Sequence, residues 1–588
     1  MNSLIVIVVG LAVVYLGYNF YAKKISTTVI QPDPKKATPA KMYMDGVDFT
    51  PANRNVLFGY QFKSIAALGP ILGPIIAVQW GWLPALLWIL LGTFFIGWVQ
   101  DYTSIMLGVR EEGQSFGALS YRLISPRSRG ILITFIYFYL LLIMGSFGVQ
   151  VGFTLFANPA VPLGVIFVIL VGILAGQMTY KWKQDIILTS VITVLLAFLG
   201  IWLGTLPGVQ DFFKNLYGTA GGAASPITFL AVTRAGLIGS LMVVVICYLG
   251  SILPIWRWAQ PINYVSFWIV TLGIAGGVLG LIIWRPTLGD FPAFTQFNVA
   301  GLGPLWPLLF VTIACGAISG WHSLVSSSGT ARQLEKETDG LYVGGGAMFL
   351  EMFFAVIAFL TATAAFGGLK GYQDAGGGAA AAKVFSVGLA TFMNQWGLDK
   401  VFGTAYGAVF LTLMALTIMY LVVRFMRVAS AEALGQAIPV IRNQHVGTII
   451  ALLLTLVLIW LVPFLQIWTM FGAANQLMAS LALLLVTLWL MSKGKNYQWT
   501  LWPFLFMFVT TIAALLWKAY EAFFINLPKV AALATKAKLT VGQVTLANVL
   551  IGLIALVLVG CAFVLAWDAF KAFRQYRTKE ITIAPAKV

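Results

Sequence analysis

The chain has 588 residues, 60% of them hydrophobic and only 9% charged, whereas soluble globular domains are about 25% charged. That composition excludes a soluble globular protein and implies an all-α polytopic membrane protein occupying residues 1–588. The formal net charge of +17 then reads as a topology signal, with no nucleic-acid partner implied.

A span needs about 20 apolar residues. Windows between charged or Gly/Pro-rich breaks predict about fifteen helices, at 4–22, 64–79, 82–108, 131–157, 162–180, 186–206, 235–255, 262–284, 304–330, 345–366, 402–423, 447–467, 469–491, 498–517 and 545–567. The first, an extra amino-terminal helix, lacks a basic n-region and a cleavage site and is followed by Lys23 and Lys24, so it reads as a retained anchor. Residues 23–63 are polar and punctuated by proline, and are expected to form a cytoplasmic loop.

The next helix contains Gly69 Pro70 Ile71 Leu72 Gly73 Pro74 inside an apolar stretch from Ile65 to Trp80. Pro70 has no amide to donate to the Ala66 carbonyl, nor Pro74 to that of Pro70, and an interior proline costs a helix about 3 kcal/mol. Backbone freed at membrane depth persists only where protein or a polar cavity satisfies it, so the doubled motif predicts a functional helix break at 69–74. The plainer alternative is a kinked helix packed on its neighbours.

Five helices from 64 to 206 and a second set from 235 to 427 lie either side of a loop at 207–233 that contains Gly218 Thr219 Ala220 Gly221 Gly222. An odd number of spans reverses the second unit, as a five-plus-five inverted repeat requires. In the matching place of the second unit, Tyr248 Leu249 Gly250 Ser251 Ile252 Leu253 Pro254 predicts a paired interruption with Gly250 and Ser251 in it. Residues 367–401 carry Gly376 Gly377 Gly378 and an alanine run, expected to be a flexible external loop. Helices over 447–570 complete the chain. With a cytoplasmic carboxyl terminus and an external amino terminus, about 26 of the 36 basic residues fall on cytoplasmic segments, the tail's Lys579 included, against about 10 for the reverse. Cys247, Cys315 and Cys561 show neither disulfide nor metal spacing.

Few ionisable groups remain inside the spans. Asp101, beside Gln100, Glu351 and His322 are the exceptions, and such groups usually mark transport pathways or proton relays. The alternatives are pairing of the carboxylates with Arg110 or Arg332, and a neutral core histidine. Ser319, His322, Ser323, Ser326 and Thr330 recur at helical spacing on one face. That stripe either offers oxygen ligands to a cation or substrate, or lets helices pack closely.

The chain resembles the carbon starvation protein A family in Asp45 Gly46 Val47 Asp48 Phe49 Thr50 Pro51, in Val56 to Phe62, in Ile65 to Pro74, in Val99 Gln100 Asp101, in Thr312 to His322 and in Phe471 Gly472 Ala473 Ala474 Asn475 Gln476 Leu477. The resemblance implies a prokaryotic cytoplasmic-membrane transporter of peptides or pyruvate, grouped with amino acid–polyamine–organocation carriers of five-plus-five architecture. By analogy of position, Ser326, Ser327, Thr330 and the carbonyl of Ala67 become candidate ligands for a sodium ion, while proton coupling would turn on His322 or Asp101. Asn475 and Gln476 become polar support or gate residues. The chain departs from the family pattern at Tyr60 and Gln61, where two histidines are typical, and at Ile262 Asn263, where arginine and aspartate are typical.

The expected function is therefore secondary active transport of a peptide or a small carboxylate by alternating access, coupled to protons or sodium. The competing readings are a channel and a non-transporting subunit of an electron-transfer complex, the latter having only His322 and His445 for a haem. No catalytic constellation, phosphate-binding loop or resident cofactor is implied, and the oligomeric state is not specified.

Overall fold

A computed structural model describes residues 1–45, 49–219, 226–227, 232–255, 257–537 and 539–578; Gly46, Val47 and Asp48 of the amino-terminal motif, residues 220–222 of the glycine loop and Lys579 lie outside them. Among the described residues, thirteen helices are long and apolar enough to cross a membrane, and a fourteenth span results if the bent pair Arg54–Ile65 and Gly69–Trp80 counts as one. The count of fifteen is not met because the segment expected at 304–330 is not a continuous helix.

The spans sort into a buried centre and a rim. In the most apolar stretch of Phe464–Ser492, 94% of residues are buried, against 28% for Ser3–Ile30 and 33% for Ile186–Gly204. On the last of these, Ile187, Val191, Leu195 and Leu199 are all exposed at four-residue spacing. They form one apolar stripe facing outward, as a lipid-facing surface requires. The protein is a multi-pass membrane protein.

Three segments differ from their sequence-based expectation. The first helix runs through Lys23 and Lys24 to Ile30, because both lysines are exposed and need not be buried. Its last carbonyls, at Val29 and Ile30, accept from Lys495 Nζ at 2.9 and 2.7 Å, and Ile30 also accepts from Arg110. Burial pushes the Lys495 ammonium below the usual lysine range. The Gly/Ala segment is ordered rather than flexible, forming helices at Leu369–Asp374 and Ala381–Asn394. Alanine favours helix, and the small surface lets it dock on Lys400–Leu434, where a Cβ on Gly407 would stand 2.9 Å from the Ser386 Cα. Finally, no interruption occurs at 248–254. Helix Arg234–Ile252 runs intact through Gly250 and Ser251 and simply ends before Pro254, its terminal carbonyls at Gly250 and Leu253 accepting from Arg424.

Two chain breaks organise the centre. The first lies at 66–68, upstream of the expected 69–74. Helix Arg54–Ile65 ends, Ala66 is extended at ψ 105°, and a new helix starts at Gly69. Pro70 thus occupies the second position of a helix, where a missing amide costs nothing, which is why the break is displaced. The second break spans 313–319, between Leu305–Thr312 and Gly320–Val325. The two face one another. A Cβ on Gly69 would lie 2.6 Å from the Cys315 Cβ, and one on Gly73 would lie 2.7 Å from the Thr312 carbonyl oxygen and 3.1 Å from the Ile313 Cα. Advancing along the first segment moves the contact backward along the second, so they cross antiparallel. The glycines of the doubled Gly-Pro motif permit this approach; Pro70 stands in the first turn of the new helix, whereas Pro74 lies inside it.

Candidate functional site

The broken segment 305–330 is held by side chains from other helices. Ser319, immediately before the second half-helix, is extended and provides no side-chain cap. Instead the Asn475 Oδ1, projecting from Phe464–Ser492, accepts from the backbone amides of Gly320 and Trp321 at 3.0 and 3.2 Å, from Ser319 Oγ at 3.1 Å and from the Tyr139 hydroxyl at 2.7 Å. It does for the helix start what an N-cap residue does within one chain segment. Its neighbour Gln476 serves the other side of the break, donating to the carbonyls of Phe310 and Ile313 at 2.8 and 3.1 Å. Trp468 and Trp88 donate to the carbonyls of Thr312 and Phe310. Thr93 donates to that of Gly316, and Gln100 to that of Ser319 at 2.6 Å.

Against this scaffold sits the charged cluster. His322 Nδ1 lies 3.0 Å from Asp101 Oδ2, and His322 Nε2 lies 3.2 Å from Glu351 Oε2, with all three side chains fully buried. The Asp101 contact is a hydrogen bond, whereas the Glu351 contact is at ion-pair distance without hydrogen-bond alignment. Both Glu351 oxygens and Asp101 Oδ1 are left without a hydrogen-bond partner. The expected alternative partners are engaged elsewhere: Arg110 pairs with Glu337 at 2.9 Å, and Arg332 donates to the Gly113 carbonyl. With all three groups ionised the cluster carries one net negative charge in a fully buried setting; one added proton neutralises it. An uncompensated buried charge is expensive, so the cluster is more easily accommodated with that proton than without it.

The serine stripe divides among several partners. Ser323 Oγ accepts from Gln100 and lies 3.3 Å from Ser104 Oγ. Ser326 accepts from Gln61 Nε2 at 3.0 Å while Thr330 donates to Gln61 Oε1, so Gln61 closes a ring with two of the candidate cation ligands. Ser327 donates to the Ser323 carbonyl within its own helix. Among the described residues nothing donates to the Ala67 carbonyl. Gly250 and Ser251 belong to a different neighbourhood, where Ser251 bonds Thr448 at 2.9 Å and Gly250 packs on Tyr420.

Sequence reasoning missed Lys63, Gln61, Tyr139 and Trp321. The first two fell in the segment assigned to a cytoplasmic loop, although the apolar pair Phe62 and Ile65 flanking Lys63 signals a helix face. Lys63 is 3% exposed, and its Nζ donates to Thr417 Oγ1 at 2.8 Å. Trp321 Nε1 donates to the Ser64 carbonyl at 2.7 Å, tying the last turn before the first break to the residue preceding His322.

The sequence matches the family described as carbon starvation protein CstA over residues 2–370 and 368–514. The chain belongs to the CstA family. Among curated CstA-family relatives, it is 32% identical to the pyruvate/proton symporter BtsT of Escherichia coli over 62% of this chain and 49% of that protein. It is also 32% identical to the peptide transporter CstA of the same organism, over 61% and 50%. The peptide transporter CstA of Campylobacter jejuni is 28% identical over 87% and 79%. The chain thus spans about half the length of the Escherichia coli relatives it matches. Among solved structures, an Eremococcus coleocola manganese transporter mutant aligns at 13% identity with a TM-score of 0.40, covering 88% of this chain and 96% of that one. MhsT in complex with L-phenylalanine aligns at 12% with a TM-score of 0.42, covering 87% and 99%.

Proposed function

We propose that this CstA-family chain is a secondary active transporter of the prokaryotic cytoplasmic membrane, with its amino terminus outside and its carboxyl terminus in the cytoplasm. It takes up a peptide or a small carboxylate such as pyruvate by alternating access, with the proton as coupling ion. The observation that carries the reading is the buried Asp101–His322–Glu351 cluster, set one turn beyond a chain break. A buried cluster one proton short of neutrality gains by binding a proton and returns it when the surroundings change, which is what coupling needs. Sodium is the weaker reading, because Ser326 and Thr330 are engaged by Gln61 and Ser327 by its own helix. Relatives named as a pyruvate/proton symporter and as peptide transporters support the class of solute and ion.

The five-plus-five inverted repeat belongs to the same proposal. It rests on the odd number of spans in the first unit; the second break lies in 305–330, the third helix of the second unit, and not in the 235–255 helix that opens it. The test is uptake into proteoliposomes of labelled pyruvate and of labelled dialanine, with sodium and pH varied independently. An acidic exterior without sodium should drive accumulation of at least one of them. Accumulation that follows sodium and ignores the proton gradient would overturn the proton assignment.

A further inference from the structure

Lys63 has no part in the proton cluster, yet it is among the most costly residues in the protein to bury. An ammonium has three donors, and one is used, on the neutral hydroxyl of Thr417. No described carboxylate lies within 4.0 Å of Lys63. The helix that carries Thr417, Lys400–Leu434, has no acidic residue before Glu432. Lys63 stands in the last turn of Arg54–Ile65, where the negative end of the helix dipole favours a cation. Beside it, Ser64 is also buried, and three residues on the backbone opens at 66–68.

We propose that Lys63, with Ser64 next to it, is the subsite that recognises the negative charge of the transported solute, pairing its free donors with a carboxylate. The inference rests on the transport reading above but concerns a different group from the one assigned to the proton. A carboxylate brought to this point would neutralise a buried cation and satisfy its open donors, the pairing that makes a buried charge tolerable. Lys63 is thereby a specificity-determining residue, and the His322 cluster supplies the coupling.

The experiment is binding to the purified full chain in detergent, read as thermal stabilisation by pyruvate and dialanine and by their uncharged-end analogues, methyl pyruvate and dialaninamide. Wild type should be stabilised by at least one acid and prefer it to its analogue. Lys63→Met should lose affinity for that acid by about tenfold or more and the preference with it, while Lys63→Arg, which keeps the charge, should retain the preference. Size-exclusion profiles of the three proteins guard against misfolding, and if Lys63→Met does not fold, Lys63→Gln replaces it. Equal binding of acid and analogue by wild type, no stabilisation by either acid, or an unchanged preference in the neutral variant would overturn the proposal. Because no gradient is present, a failure here is distinct from a failure of proton coupling, which would appear as His322→Gln retaining pH-driven accumulation.

Discussion

The two chain breaks are built in opposite ways. The first is largely local: a new helix opens at Gly69, and proline in its second position suits a helix start at no cost in hydrogen bonds, with Trp321 reaching in from another segment to the Ser64 carbonyl. The second has no proline between Ile313 and Ser319, and its amides and carbonyls are satisfied by Asn475 and Gln476 from a distant helix. One break is encoded by the residues that form it, the other by residues about 160 positions away that must arrive in register. The difference teaches that open backbone in a membrane can be held either by covalent constraint or by borrowed hydrogen bonds.

The contrast can be broken most severely at Asn475. Asn475→Ala leaves two backbone amides and two hydroxyls without their acceptor, and at about 1–3 kcal/mol for each buried group the variant should be destabilised by roughly 3 kcal/mol or more. A clear fall in melting temperature of the purified protein would record it, and Asn475→Asp, which keeps the oxygen, should recover part. A wild-type melting curve for the alanine variant would show that the second break does not depend on it. A smaller effect is expected at the crossing of the two breaks. Gly73→Ala places a methyl group 2.7 Å from a backbone oxygen that cannot rotate away, costing about 1–3 kcal/mol by overpacking and slowing counterflow. The smallest belongs to Pro70→Ala: with no helix bond lost, only chain entropy in the unfolded state changes, less than about 1 kcal/mol. Melting temperature and uptake close to wild type are expected, and abolished uptake would mean that the proline ring itself serves transport.

Much of this was legible in the sequence, and the failures have physical causes. Asp101, His322 and Glu351 stood out because ionisable groups are rare in apolar windows, and the structure brings all three together. Their mutual pairing was not legible, since Arg110 and Arg332 offered equally good partners by charge alone. All but the last two residues of the half-helix Arg54–Ile65 were lost to a loop because Gln61 and Lys63 lower its hydropathy, yet both are buried. Polar residues buried in the interior imitate a surface segment in any composition argument. The break at 313–319 carries only Gly316 and Gly320 as local signals, and its cause lies in another helix. Conversely, glycine and proline at 250–254 imitated a break where a helix merely ends.

The central claim, that the Asp101–His322–Glu351 cluster carries the coupled proton, is met most directly by a pH-sensitive dye trapped in proteoliposomes. With no imposed gradient, adding pyruvate or dialanine outside should acidify the lumen in wild type. Glu351→Gln and His322→Gln should abolish the acidification while labelled solute still exchanges in counterflow. Acidification undiminished in both variants would contradict the account.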